Sequence, residues 1–138
     1  MPDIQITQAD PDTGIITLGM GRSPKIITGV DLLAQIVILT FLKNPGRDVL
    51  SPNDGSGLRA EIGQFNFTSS DEVNLLVLQR TKFVERSILA NQTGTSGDPT
   101  ERLAKLTVIG IASDLTASKV LVRVRVVNEA GEARDVLV

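Results

Sequence analysis

The 138-residue chain contains no cysteine and no histidine. Without cysteine there is no disulfide, no thiolate nucleophile and no Cys-ligated zinc, so nothing ties the fold to an oxidising compartment. Without histidine, Ser-His-Asp and Cys-His catalysis, the usual near-neutral general base and the commonest metal ligand are lost together. Aromatic residues make up 3% of the chain, and all four are Phe. The rings that stack on bases and sugars are therefore missing. No metal and no cofactor is expected. The 14 Lys+Arg are scattered against 16 Asp+Glu, for a net charge of -2 and a pI near 5.1. That balance disfavours a phosphate-binding face, and nucleic acid is not an expected partner.

Long apolar runs are also lacking. The most apolar segment, VDLLAQIVILTFL at residues 30–42, is well short of the ~20 residues of a membrane span and carries Asp31 and Gln35. It reads as a helix from about Val30 to Lys43, covered on several sides by its Leu32, Leu33, Ile36, Val37, Leu39 and Phe41. The first residues, MPDIQITQADPDTG, do not have the basic-then-apolar pattern of a signal peptide. A soluble protein made in the cytoplasm is expected. With 41% hydrophobic residues the chain can bury the core of one domain.

What is present divides at about residue 28. Residues 1–28 hold two β-rich runs, DIQIT and IITLG, around the turn signal QADPDTG, and read as a loosely attached hairpin or arm. DPDTG imitates a calcium loop, but Gly21 stands where a bidentate Glu belongs, and GMGRSPK lacks the order of a phosphate loop. The first reads as a turn and the second as a connector. Residues 29–138 form the main domain. A second helix starts at SSDE, where Ser69 caps and Glu72 returns a bond three residues on, and runs to about Asn91. Its packing stripe is Val73, Leu76, Val77, Phe83, Val84 and Ile88. LAKLTVIGIAS and KVLVRVRVV then alternate as paired strands, with Val120, Val122, Val124 and Val126 on one face and Arg123 and Arg125 on the other. ARDVLV, residues 133–138, adds a last strand that reads as an open sheet edge. The fold class is α+β: two main helices packed on a small antiparallel sheet, with a C-terminal β-hairpin presenting an edge strand.

Between the helices lies NPGRDVLSPNDGSGLRAEIG, residues 44–63, in which Pro52 fixes a backbone angle, Gly55 and Gly57 permit positive φ and Leu58 resumes packing. The physics predicts a rigid double turn. The order of apolar helix, PG, PxxGSxL, second helix, RLxxLxVxxI and valine-rich terminal hairpin resembles the small wedge component, or sheath initiator, of contractile phage tail baseplates, which has a relative in type VI secretion baseplates. The resemblance covers roughly residues 29–138 and is most specific from Leu32 to Leu58.

Gly46, Pro52, Gly55, Ser56 and Leu58 match the family positions, whereas Arg47 and Asp54 depart from its usual glutamate and aromatic. The family's Glu-Pro-Arg triplet stands here as Thr100, Glu101, Arg102. The resemblance implies a structural protein of the virion tail, assembled in the host cytoplasm and present in multiple copies. Its implied partners are other wedge proteins and sheath subunits, with the tail tube as a further contact. The triplet, with Glu101 and Arg102, would help hold the wedge core, and Ala133, Arg134, Asp135, Val136, Leu137 and Val138 would offer a β-edge to the first sheath ring. Some members of that family carry a lysozyme label. A peptidoglycan-degrading alternative would need a carboxylate pair drawn from Glu61, Glu72, Glu85 and Glu101, with Glu61 or Glu85 as general acid, but no pair stands out by spacing and no Trp or Tyr is present to hold a sugar. The expected protein is not an enzyme.

Overall fold

The protein, seen in a computed structural model, is described over residues 3–19, 25–46, 49–50, 55–64 and 67–138. It is a mixed α+β domain. The described residues form strands β1 (Asp3–Ile4), β2 (Thr7–Ala9), β3 (Ile16–Leu18) and β4 (Ile26–Ile27), then helices α1 (Gly29–Leu42), α2 (Leu58–Gln64) and α3 (Ser70–Gln92). A 3-10 turn at Pro99–Glu101 leads into β5 (Leu103–Asp114), β6 (Lys119–Asn128) and β7 (Ala133–Leu137).

The main sheet has the order β2-β3-β7-β6-β5, and β1 pairs β4 in a separate two-stranded ribbon. β5–β6 are antiparallel, as the turn between them predicts, β6–β7 are antiparallel as well, and β3 lies parallel to β7 with Ile16 opposite Val136. Val122, Val124, Val126 and Val136 turn to one face and are fully buried with Leu33, Val37, Ile38 and Phe41 of α1 and Val73, Val77 and Val84 of α3. The other face carries Leu121, Arg123 and Arg125, which are exposed. One layer of helices on one side of a sheet therefore accounts for the core.

α1 has two unusual ends. Its N-cap, Thr28, makes no side-chain bond; instead Glu101 accepts the Gly29 N–H at 3.2 Å from 72 residues away. A carboxylate there satisfies a free helix amide and complements the positive end of the dipole. At the other end the glycine-rich segment folds back. Ser56 N–H donates to the Thr40 carbonyl at 3.1 Å, Gly57 N–H to that of Lys43 at 3.4 Å, and the Ser56 hydroxyl to that of Phe41. The same hydroxyl accepts the Leu58 N–H at 3.1 Å, so one buried serine closes α1 and opens α2. The expected double turn is thus partly a third helix.

α3 starts as predicted at Ser69, which accepts the Glu72 N–H at 3.4 Å, but Glu72 returns its bond to Thr68 N–H, at 3.1 Å. Several expectations are corrected. Phe83 faces outward from α3, because the buried row 73, 77, 81, 84 and 88 fills the contact with the sheet and leaves position 83 to one side. Ile36 and Leu39 of α1 are likewise exposed instead of covered. The expected open edge at Ala133–Val138 is also overturned: β7 lies inside the sheet, between β6 and β3. The edges are β2 and β5.

The first residues are tied to the domain by the one polar side chain buried in α1. Gln35 accepts the Ile6 N–H at 2.8 Å and donates to the Ile4 carbonyl at 3.0 Å, so its amide is satisfied on both sides. Ile16 and Ile27 add buried apolar contacts.

Gly55 offers a direct test of the return loop. Its φ is +118°, and a Cβ would collide with the Lys43 carbonyl, whose carbon lies 2.8 Å away. Gly55→Ala is expected to cost about 3 kcal/mol by strain and backbone collision, lowering the melting temperature by roughly 10 °C. At Gly46, φ +85° with open space around it, the same change should cost about 1 kcal/mol. Differential scanning calorimetry of the two variants measures the contrast; equal losses would refute the close approach.

Candidate assembly surfaces

The residues singled out by sequence gather at three places around α1. Gly55, Ser56 and Leu58 sit at its C-terminal end, where Leu58 is in the core. Gly46 begins the connection with positive φ and is exposed, and Pro52 lies outside the described residues, as do Arg47 and Asp54. Glu101 and Arg102 sit at the other end, about 20 Å away by the rise of a 14-residue helix. Ala133 to Val138 run beside the helix, with Arg134 Nε 3.1 Å from Asp31 Oδ1. That pair is exposed on both sides and contributes little to stability.

Arg102 does for α3 what Glu101 does for α1. Its guanidinium donates to the Gln92 carbonyl at 3.1 Å and the Thr95 carbonyl at 2.7 Å, and meets Glu129 at 3.0 Å. A cation is thereby placed on the negative end of a 23-residue helix. The Thr100-Glu101-Arg102 segment therefore clamps one terminus of each main helix. Asn128, buried, completes the junction by donating to the Thr100 carbonyl at 2.9 Å.

Between α1 and α3, beside this clamp, runs a groove of about 790 Å³. Its floor is Leu33, Ile36, Leu39 and Ile88, and Glu101 and Arg102 stand on its rim. Exposure of Ile36 and Leu39 here is what the sequence reading missed; a run of apolar residues does not say which of them a neighbour covers.

The second surface is β5. Gln92 covers its start, donating to the Leu103 carbonyl at 2.7 Å and accepting the Leu103 N–H at 2.9 Å, and Glu85 accepts the Leu106 N–H at 3.4 Å. Beyond a bulge between Val108 and Gly110 the outer edge has no partner among the described residues. Val122, opposite Ile111, exchanges both backbone bonds with Val138 at 2.8 Å, so Ile111 turns its own N–H and C=O away from β6. From Val108 to Asp114 the strand can accept another strand.

The open sheet face carries a charge cluster. Asp135 accepts from Arg125 Nε at 2.8 Å and Nη2 at 3.1 Å, and lies 3.4 Å from Arg123. The Arg125 hydrogen bonds, against a smaller opposing effect of burial, hold the Asp135 carboxyl below the ordinary aspartate range. The carboxylates considered for muralytic chemistry are engaged elsewhere: Glu61 pairs with Arg80, and Glu85 with Lys82 at 3.0 Å.

Comparison of the chain with protein-family profiles, curated proteins and solved structures gives no match.

Because its folded pKa is depressed, Asp135 contributes stability that is fully present above the unfolded aspartate value near 3.9 and is lost as pH falls through the folded value. Asp135→Asn should therefore lose stability at pH 7 yet show a flatter decline than the parent between about pH 5 and pH 2. Urea titrations across that range check this, and parallel curves for both proteins would contradict it.

Proposed function

We propose that the chain is a structural component of a contractile tail baseplate, joining the wedge around the tail tube and templating the first sheath subunits by extending its sheet. The observation that carries the reading is the outer edge of β5 from Val108 to Asp114, which has no partner among the described residues, on a sheet whose valine face is braced by α1 and α3. Main-chain bonding along an edge tolerates many partner side chains, which suits the nucleation of a polymer. The most specific part of the resemblance, Leu32 to Leu58, ends in the Ser56–Leu58 turn that fixes α1, the helix beside which the other named residues lie.

The wedge core would attach at the α1–α3 groove, where an apolar floor and the Glu101–Arg102 rim suit a helical segment with one apolar face. The sheath contact belongs on β5 and not on β7, because β3 already lies along β7 at Val136. Direct use of Ala133–Val138 would first require the β2–β3 hairpin to leave. In this reading the protein works in several copies in the virion tail, with wedge proteins, sheath subunits and the tail tube around it, and neither nucleic acid nor membrane as a partner.

Deleting residues 133–138 would remove an internal strand, so the informative change is Ile111→Pro. It takes away an outward N–H without touching the β5–β6 ladder. Baseplates carrying this variant should incorporate the protein and fail to nucleate sheath, as counted by negative-stain microscopy of assembled particles. Normal sheath on the variant would remove the β5 assignment. Failure of antibody-gold to label the baseplate end of the particle, with clearing of peptidoglycan by the purified protein, would instead favour the muralytic alternative.

A further inference from the structure

α3 shows the sheet one apolar row and shows solvent another. Leu75 is 62%, Leu78 48% and Phe83 39% exposed. Together with Asp71, Gln79, Lys82 and Arg86, these residues recur at three- and four-residue intervals and occupy one side of the helix, opposite Val73, Val77, Val84 and Ile88. An isolated exposed leucine would need no explanation, but a stripe on a 23-residue helix that is already packed on its other side does.

The stripe is ordered by charge. Its acid, Asp71, is in the first turn, its free base, Arg86, is four turns later, and the leucines lie between. Neither Asp71 nor Arg86 has an ion-pair partner among the described residues, whereas Lys82 is paired with Glu85 at 3.0 Å. Such a pattern is self-complementary when the helix meets its own copy head to tail. With a two-fold axis between Leu78 and Gln79, Asp71 of one copy falls level with Arg86 of the other. Leu78 meets its own symmetry mate, and Leu75 comes under Phe83 and the aliphatic stem of Lys82. A parallel arrangement would set Asp71 against Asp71 and Arg86 against Arg86, so charge selects the antiparallel one.

We propose that this face of α3 is a self-association surface, on which a second copy of the chain docks its own α3 antiparallel about Leu78. The assignment does not depend on the baseplate reading, since the α1–α3 groove and the β5 edge involve other residues. Two such helices bury on the order of 1,000 Å², the low end for specific association, which places the dimer in a weak, micromolar class.

The test is sedimentation equilibrium of the full chain from about 5 to 200 µM, a range chosen to bracket such an affinity, with circular dichroism as the folding control. The parent is expected to move with concentration from 14.8 kDa toward twice that mass. Leu78→Asp, an exposed substitution, should stay at 14.8 kDa and stay folded. Asp71→Arg and Arg86→Asp should each weaken association at least tenfold, and the double swap should restore it, a rescue that no effect on folding alone produces.

The chain has no cysteine of its own, so Leu78→Cys supplies the register directly. Under a mild copper-phenanthroline oxidant, which takes up the two electrons, two such thiols should join as one disulfide across the axis. Leu75→Cys should not, its copies being about 10 Å apart along the helices. A parent that remains at 14.8 kDa throughout, a dimer untouched by Leu78→Asp, or a charge swap without rescue would each overturn the proposal.

Discussion

Everything in this fold leans on the closure of α1. The helix is buried along Leu33, Ala34, Val37, Ile38 and Phe41, and the amides and carbonyls at its half-buried ends have no partner within the helix. They are satisfied by other segments of the chain, Glu101 at one end and Ser56–Gly57 at the other. Each bond is modest, but each removes a polar group that would otherwise cost about 1–3 kcal/mol to bury unpaired. The same contacts fix where the connection before α2 turns and where β5 begins. Rigidity at the surfaces is thus inherited from α1, which also lends Ile36 and Leu39 to the groove.

The polar and charged residues named from sequence acquire a common logic in this light. Glu101 and Arg102 complement opposite helix ends, and Ser56 serves two helices with one hydroxyl. None of them needs a partner protein to justify its presence. Their role in assembly, on the reading proposed here, is to hold α1 and α3 at the spacing that creates the groove between them. A single substitution there would then disturb stability and attachment together.

The helices, the paired strands and the valine face of β6 were legible because each depends on short-range periodicity and capping: the limits of α1 and α3 fall within one or two residues of the expected ones. What was not legible depends on pairing between distant segments. The strand at Ala133–Leu137 looks like an edge until β3, some 120 residues earlier, is laid beside it. Phe83 looks like core by spacing alone, and only the position of the sheet shows that Thr81 and Val84 take that place. Gln35 was visible as a polar break in an apolar run, and that signal, pursued, points to a buried amide in need of two partners. α2 escaped notice because seven residues opening on a serine bond resemble a turn more than a helix.

The parallel pairing of Ile16 with Val136 joins the third described strand to the last, 120 residues on. During synthesis, at about 5–20 residues per second, β3 leaves the ribosome on the order of ten seconds before β7 exists. The hairpin around Asp10 can form at once from its local bonds to Asp12 and Thr13, but its place in the sheet opens only when translation has reached the 130s. Birth order therefore makes this hairpin an early product of synthesis that docks late, and the nascent chain carries its unsatisfied β-edge until β7 has been made.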